Sequence, residues 1–444
     1  MTLTTLIIIL FVVGYLCIAL ESVLEINKAA IALLMCVGCW TVLMVGVQAF
    51  FPEVADGVDF ISGRIQHHLG DASETLFFLM GAMTIVEIVD SNGGFNFVRD
   101  MMKTRSKRKL MWRVAFMTFF LSAILDNLTT SIVMIMVLRK LVQSREERLI
   151  YAGLIIIAAN SGGAFSPIGD VTTIMLWIKG VISTQGVLTE IFFPSLVSMV
   201  VPALILTFSL KGKFEKEQDA QTTEVTTFTK AQRNVIFWLG VGGLVFVPIF
   251  KTLTHLPPFM GILLVLGVLW TVTEIFHRTH HTSEDDTMAK RVTDLLSKID
   301  LATILFFLGI LMAVAVLQEI GVLTAMGEGL NEAFAGNYYL INGIIGVLSS
   351  IVDNVPLVAG CMGMYPVSEI AGDPMAVDGI FWQLLAYCAG VGGSMLIIGS
   401  AAGVVVMGLE KITFGWYLKR MTWIAFVGYL AGIGCYYVVE QILH

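Results

Sequence analysis

The stretch Leu125-Asp126-Asn127-Leu128-Thr129-Thr130-Ser131 lies in the middle of an otherwise apolar segment, 111–141. Lys103, Arg105, Lys107, Arg108, Lys109 and Arg113 lead into that segment, and Arg139, Lys140, Arg145 and Arg148 follow it. In membrane proteins, loops rich in Lys and Arg face the cytoplasm. Both flanks are basic, so the chain must enter and leave on one side. Each arm of about 13 residues gives about 20 Å of helix, too short for a hydrocarbon core of about 30 Å. The pattern predicts a re-entrant helical hairpin over 111–141 with Asp126-Asn127 at its tip.

The composition supplies the setting. Of 444 residues, 57% are apolar and 14% are charged, where a soluble domain carries about a quarter charged. That excludes a soluble globular protein, a disordered chain and a nucleic-acid binder. The apolar residues come in long runs, which points to an all-α polytopic membrane protein. A β-barrel would show short alternating segments instead. Full spans are expected at 3–20, 29–50, 75–97, 150–178, 189–210, 234–253, 257–276, 301–323, 380–409 and 421–442. With the N-terminus outside, 24 of the 27 Lys and Arg fall in cytoplasmic loops, and Arg64, Lys179 and Lys251 remain outside. The flanks of 338–365 carry no Lys or Arg, so that segment is expected to be a second hairpin, entering from outside with Asp353-Asn354 at its tip. The opening residues lack the basic cluster of a signal peptide, and the first span is read as retained. Six cysteines lie within apolar segments; Cys36 and Cys39 are read as helix packing rather than a redox or metal site.

The two halves repeat. Asp71-Ala-Ser-Glu-Thr-Leu-Phe-Phe-Leu79 matches Asp300-Leu-Ala-Thr-Ile-Leu-Phe-Phe-Leu308, a shift of 229. Asp126-Asn127 matches Asp353-Asn354, and Gly162-Gly163 and Gly169 match Gly392-Gly393 and Gly399, at nearly the same shift. Each half is five spans plus one hairpin. An odd number of crossings inverts the second half in the membrane, an arrangement typical of secondary transporters. The expected organisation is a first repeat over 1–210, a cytoplasmic linker over 211–233 and a second repeat over 234–444.

The polar residues cluster at the tips and at two breaks. The span at 150–178 contains Asn160-Ser161-Gly162-Gly163-Ala164-Phe165-Ser166-Pro167-Ile168-Gly169-Asp170-Val171-Thr172-Thr173. Gly and Pro interrupt the backbone ladder there, and freed carbonyls can face a cation. The span at 380–409 contains Gly392-Gly393-Ser394-Met395-Leu396-Ile397-Ile398-Gly399-Ser400, and the second tip continues into Val355-Pro356. The second half is poorer in oxygen, with Ser400 standing where Asp170 stands. Carboxylate, amide and hydroxyl oxygens suit a hard monovalent cation. Asp126, Asp170 and Asp353 are placed at membrane depth, where ionisable groups are costly and usually functional. Each is open to a second reading, as the N-cap of a half-helix. A carboxylate that holds either H⁺ or Na⁺ provides a competition suited to exchange. An intramembrane aspartyl protease needs Gly-x-Gly-Asp, and Pro167 takes the first Gly position before Ile168-Gly169-Asp170.

Together these two tips and two breaks resemble the NhaD-type Na⁺/H⁺ antiporters of the ion transporter superfamily, over nearly the whole chain. The resemblance implies a secondary transporter, not an enzyme, in a bacterial inner (plasma) membrane. It implies export of Na⁺ or Li⁺ in exchange for H⁺, an elevator-like movement, a homodimer and no resident cofactor. By position it implies a cation and proton site of Asp126, Asn127, Thr129, Thr130, Asn160, Ser161, Ser166, Asp170 and Thr173, with Na⁺ at Asp126, Asn127 and Asp170. Asp353, Asn354, Ser394 and Ser400 would complete it. Arsenite and dicarboxylate permeases of the same superfamily are the alternative, although Asp before Asn at both tips disfavours an anion.

Overall fold

A computed structural model gives the structure of residues 2–95, 98, 101–210, 212–214, 228–280, 292–370 and 372–443. Of the linker 211–233, residues 211 and 215–227 lie outside the described residues. The first half comprises α1 (Leu3–Ala19), α2 (Lys28–Val45), α3 (Gly57–Ser91), α4 (Lys107–Leu125), α5 (Asn127–Leu141), α6 (Arg145–Ala164), α7 (Val171–Ile178) and α8 (Phe192–Ser209). The second comprises α9 (Lys230–Thr254), α10 (Pro258–His280), α11 (Leu301–Glu319), α12 (Val322–Ala333), α13 (Tyr338–Ser349) and α14 (Asn354–Met364), then α15 (Ile380–Gly392), α16 (Ala401–Glu410), α17 (Phe414–Arg420) and α18 (Thr422–Leu443). No β-strand forms among the described residues; two isolated bridges occur. Among the described residues, seven helices are long and apolar enough to span a bilayer. The protein is an all-α, multi-pass integral membrane protein.

The helices begin where the local chemistry allows. Ser106 caps α4, Thr229 and Gln232 form a capping box at α9, and Asp300 caps α11. Such caps satisfy amide donors that the first turn leaves open. The breaks fall at residues 165–170, between α6 and α7, and at 393–400, between α15 and α16.

Three boundaries depart from the expected ones. Helix α3 has 35 residues and begins at Gly57, not near 75. His67, His68, Asp71 and Glu74 hide its first half from a hydropathy reading. The Asp56 carboxylate caps it, accepting from the amides of Val58 and Asp59. Helix α4 starts at Lys107 within the basic cluster, so the first arm of the hairpin has 19 residues rather than about 13. Helix α12 was not anticipated; its apolar positions Leu323 and Gly327 are buried against α14, and the Tyr365 hydroxyl donates to the Gly327 carbonyl.

Contacts recur between the two halves. Helices α4 and α6 pack together, as do α13 and α15; α5 packs on α16, as α14 does on α7. Helices α8 and α18 pack on one another, and so do α6 and α15, and α3 and α11. The Ser122 hydroxyl donates to the Ala159 carbonyl at 2.6 Å, and the Ser349 hydroxyl donates to the Ala389 carbonyl at 2.8 Å. At Gly162 and Gly392 the neighbouring helix comes so close that a Cβ would lie 2.1 Å from the Phe119 carbonyl and 2.2 Å from the Gly346 carbonyl. Only glycine permits that approach.

Candidate ion site

Helices α4 and α5 meet at Asp126, whose backbone has φ 76 and ψ 162. Few residues other than glycine tolerate that conformation. The carboxylate compensates by capping α5, accepting from the Thr129 amide at 2.7 Å and the Thr129 hydroxyl at 3.1 Å. The far end of α4 is held to α6: Lys107 pairs with Glu147 at the start of α6, and the Tyr151 hydroxyl donates to the Lys107 carbonyl.

Asn127 follows, buried, and it joins the tip to the break. Its amide nitrogen donates to Asn160 Oδ1 at 3.0 Å and to Asp170 Oδ2 at 3.2 Å. The Asn160 amide nitrogen donates in turn to Ser394 Oγ at 3.0 Å and Ser400 Oγ at 2.9 Å. One continuous polar network therefore crosses from the first hairpin through the first break to the second. Asp170 and Asn160 are 1% and 0% exposed, so the network lies in the interior, where polar groups must satisfy one another.

All three aspartates are N-caps, and all three have a second oxygen engaged differently. Asp170 accepts from the Thr172 amide through Oδ1 and from Asn127 through Oδ2. Asp353 accepts from the Val355 amide through Oδ1 at 3.2 Å, while its Oδ2 pairs with Lys28 Nζ at 2.8 Å. At Asp170 and Asp353 the cap thus uses one oxygen and leaves the other to a side-chain partner. Asp126 spends both on Thr129.

The other candidate residues divide by position. Ser400 caps α16 through the Gly403 amide. Ser166 accepts from the Ile168 amide within the first break, and the Thr173 hydroxyl donates to the Ala164 carbonyl. The Thr130 hydroxyl is buried without a hydrogen-bond partner among the described residues. Asn354 is buried at the first turn of α14, followed by Pro356. Ser161 stands apart: its hydroxyl accepts from Ser198 on α8 at 2.8 Å. Helix α6 continues to Ala164, and successive helical residues point about 100° apart, so Asn160 and Ser161 face different neighbours. Of the glycines and prolines, Pro167 and Gly169 lie in the first break and Gly399 in the second, while Gly163 and Gly393 face the Gly169 and Gly399 carbonyls.

Two residues that matter were not expected. Gly390 takes the position on α15 that Asn160 takes on α6; a Cβ there would lie 3.4 Å from Asp170 Oδ2. One half thus supplies an amide and the other supplies space, and a single asymmetric network results. Lys28, one of the basic residues expected in a cytoplasmic loop, instead begins α2 and holds Asp353, 325 residues away. Nothing local marks such a pair.

Broken helices, two hairpins and a buried carboxylate–amide–hydroxyl network define a polytopic secondary transporter rather than an enzyme. A family model described as a citrate transporter (CitMHS) matches residues 15–381. Sodium/proton antiporter 1 of Arabidopsis thaliana is 47% identical, over 98% of this chain and 72% of that protein. The Na⁺/H⁺ antiporter NhaD of Alkalimonas amylolytica is 32% identical, over 96% of this chain and 88% of that protein. The crystal structure of the Alcanivorax borkumensis YdaH transporter shares the fold, with a TM-score of 0.59 and 12% identity over 93% of this chain and 98% of that one. The chain belongs to the NhaD-type Na⁺/H⁺ antiporter family of the ion transporter superfamily.

Proposed function

We propose that the protein exchanges cytoplasmic Na⁺ or Li⁺ for external H⁺ by alternating access, with ion and proton competing for Asp126 and Asp170. The observation that carries this reading is the bond from Asn127 to Asp170. It joins a buried carboxylate at a helix break to a hairpin tip, within a network that runs on through Asn160 to Ser394 and Ser400. Oxygen donors of this kind select hard cations. The antiporter names of the relatives agree with it.

The recurring contacts support two inverted repeats, 1–210 and 234–444, related across the α8–α18, α6–α15 and α3–α11 contacts. The hairpins and broken helices would move together past α2, α3, α10 and α11, as in an elevator, within a homodimer. The basic loops would face the cytoplasm of a plasma membrane, with the N-terminus outside. The test is Na⁺-dependent dissipation of a pH gradient in reconstituted vesicles, with Asp170→Asn as the control.

A citrate or oxyanion permease is the second reading, favoured by the description of the family model. Half-helix N-termini attract anions. Here those of α5, α7 and α14 are each capped by an aspartate, which opposes an anion. Uptake of labelled citrate or arsenite at constant Na⁺ separates the two readings.

A further inference from the structure

The two hairpin tips are alike in sequence and unlike in charge. Asp126 makes no ion pair among the described residues, and its surroundings are apolar: Phe78, Leu79, Ile124, Ile168 and Leu244 line a cavity of about 10 Å³ beside it. Asp353, by contrast, holds the Lys28 ammonium at 2.8 Å. That ammonium also lies 4.3 Å from the centre of the Phe306 ring, a favourable cation–π placement. The Lys28 amide donates to Glu21 Oε1 at 3.0 Å, which anchors the residue in the α1–α2 corner. For the first hairpin the helix that corresponds to α2 is α10, in the second half, and it opens on Pro258. Proline offers no charge there, so the lysine belongs to one half alone.

The pair also stands beside an opening. A cavity of about 280 Å³ is lined by Glu21, Lys28, Asp353 and Ser400, among others. Ser400 is bonded to Asn160 and so to the network. Lys28 and Asp353 are part-exposed where Ser400 is buried, so a cation entering from solvent would meet the pair first. Without the lysine, Asp353 would be an unpaired carboxylate facing that cavity beside Glu21 and Ser400, a second place for a cation to bind. An unpaired lysine at the same place would repel one.

We propose that Lys28 is a tethered cation that occupies the second hairpin's half-site, so that Na⁺ binds only at the Asp126 and Asp170 end. This rests on the Na⁺/H⁺ exchange reading above. The ammonium supplies at Asp353 the positive charge that the transported ion supplies in the other half. It makes the two half-sites unequal and limits the load to one cation per cycle. It also ties the tip to α2 by an ion pair, which must open or travel whenever the hairpin moves relative to that helix.

The experiment is a Na⁺ titration of exchange in vesicles reconstituted with the full chain. Wild type and Lys28→Arg should saturate as a single site. Lys28→Met should free Asp353 for a second Na⁺ and raise the Hill coefficient from about 1 towards 2. Asp353→Asn should leave Lys28 unpaired and raise KM for Na⁺ by about tenfold through repulsion. The double variant, Lys28→Met with Asp353→Asn, should return KM to within about threefold of wild type. If Lys28→Met does not fold, Asp353→Asn against the double variant decides. A Hill coefficient of 1 in folded Lys28→Met, or equal KM values for Asp353→Asn and the double variant, overturns the proposal. Absence of Na⁺-driven proton movement in wild type would instead defeat the exchange reading.

Discussion

Asn160 on α6 and Ser400 at the second helix break stand 2.9 Å apart, joined by a hydrogen bond from the asparagine amide. That bond and its neighbour to Ser394 connect the first half of the chain to the second in the buried interior. Whatever moves one break must carry the other with it or break two buried hydrogen bonds, at about 1 kcal/mol each. Asn160→Ala should therefore remove the link at its centre. We expect exchange to fall by at least about tenfold and thermal stability in detergent to drop by about 2 kcal/mol. Unchanged exchange would separate the network from transport.

Asp126 separates two roles within one side chain. Asparagine caps a helix about as well as aspartate and tolerates positive φ better than most residues. Asp126→Asn should thus keep the fold, with unfolding shifted by less than about 1 kcal/mol, and yet lose most Na⁺-dependent exchange. Loss of both together would mean that the carboxylate serves the backbone alone.

The proposed competition of proton and Na⁺ for Asp126 and Asp170 fixes the sign of the pH response it predicts. At low pH the proton holds the shared carboxylates, so more Na⁺ is needed to displace it. As pH rises that competitor disappears. KM for Na⁺ should therefore rise about tenfold for each unit that the pH falls in the acid limb, with maximal rate unchanged. A falling maximal rate at constant KM would point to titration outside the site.

Close packing at the breaks gives a stability test. Gly162→Ala and Gly392→Ala would each drive a Cβ into a backbone carbonyl. Overpacking of this kind costs about 1–3 kcal/mol or more, and the melting temperature should fall clearly. Gly63 on α3 has nothing within 4 Å of an added Cβ. Gly63→Ala should be neutral or stabilising, since helical alanine gains about 0.5–1 kcal/mol over glycine.

An ion-pair cluster at the end of α16 is structural in character. Glu410 is 1% exposed and pairs with Arg139 at 2.7 Å and Arg148 at 2.6 Å, while Arg145 donates to the Lys411 carbonyl. Breaking a buried pair costs about 3–5 kcal/mol, and here solvent at the arginines reduces that figure. Glu410→Gln should lower the melting temperature while KM for Na⁺ stays as in wild type. A changed KM would draw this cluster into the site.

Much of the site was legible because its signals are local. The Asp-Asn tips, the Gly-Gly pairs and the basic flanks each act on the residues beside them, and the Asn127, Asn160 and Asp170 cluster follows from two such signals brought together. Helical phase turns Ser161 away from Asn160, because α6 runs on to Ala164 and only then breaks. Lys28 is different. Its ion pair with Asp353 depends on how α2 packs near the second hairpin, and a lysine at the start of a span reads equally well as a loop charge. The early half of α3 was hidden for a related reason: His68 is engaged by Glu319 and Asp71 by Lys179, so polarity that suggested a loop belongs to a helix with partners elsewhere.

The most direct test of ion–proton exchange at the buried carboxylate is Na⁺-driven proton movement in vesicles holding wild type or Asp170→Asn. Losing a charged ligand is worth about 3 kcal/mol, or about 100-fold in apparent affinity. Na⁺ should dissipate an imposed pH gradient in wild type, and a folded Asp170→Asn protein should lose nearly all of that activity. Equal rates in the two would contradict ion–proton exchange at that carboxylate.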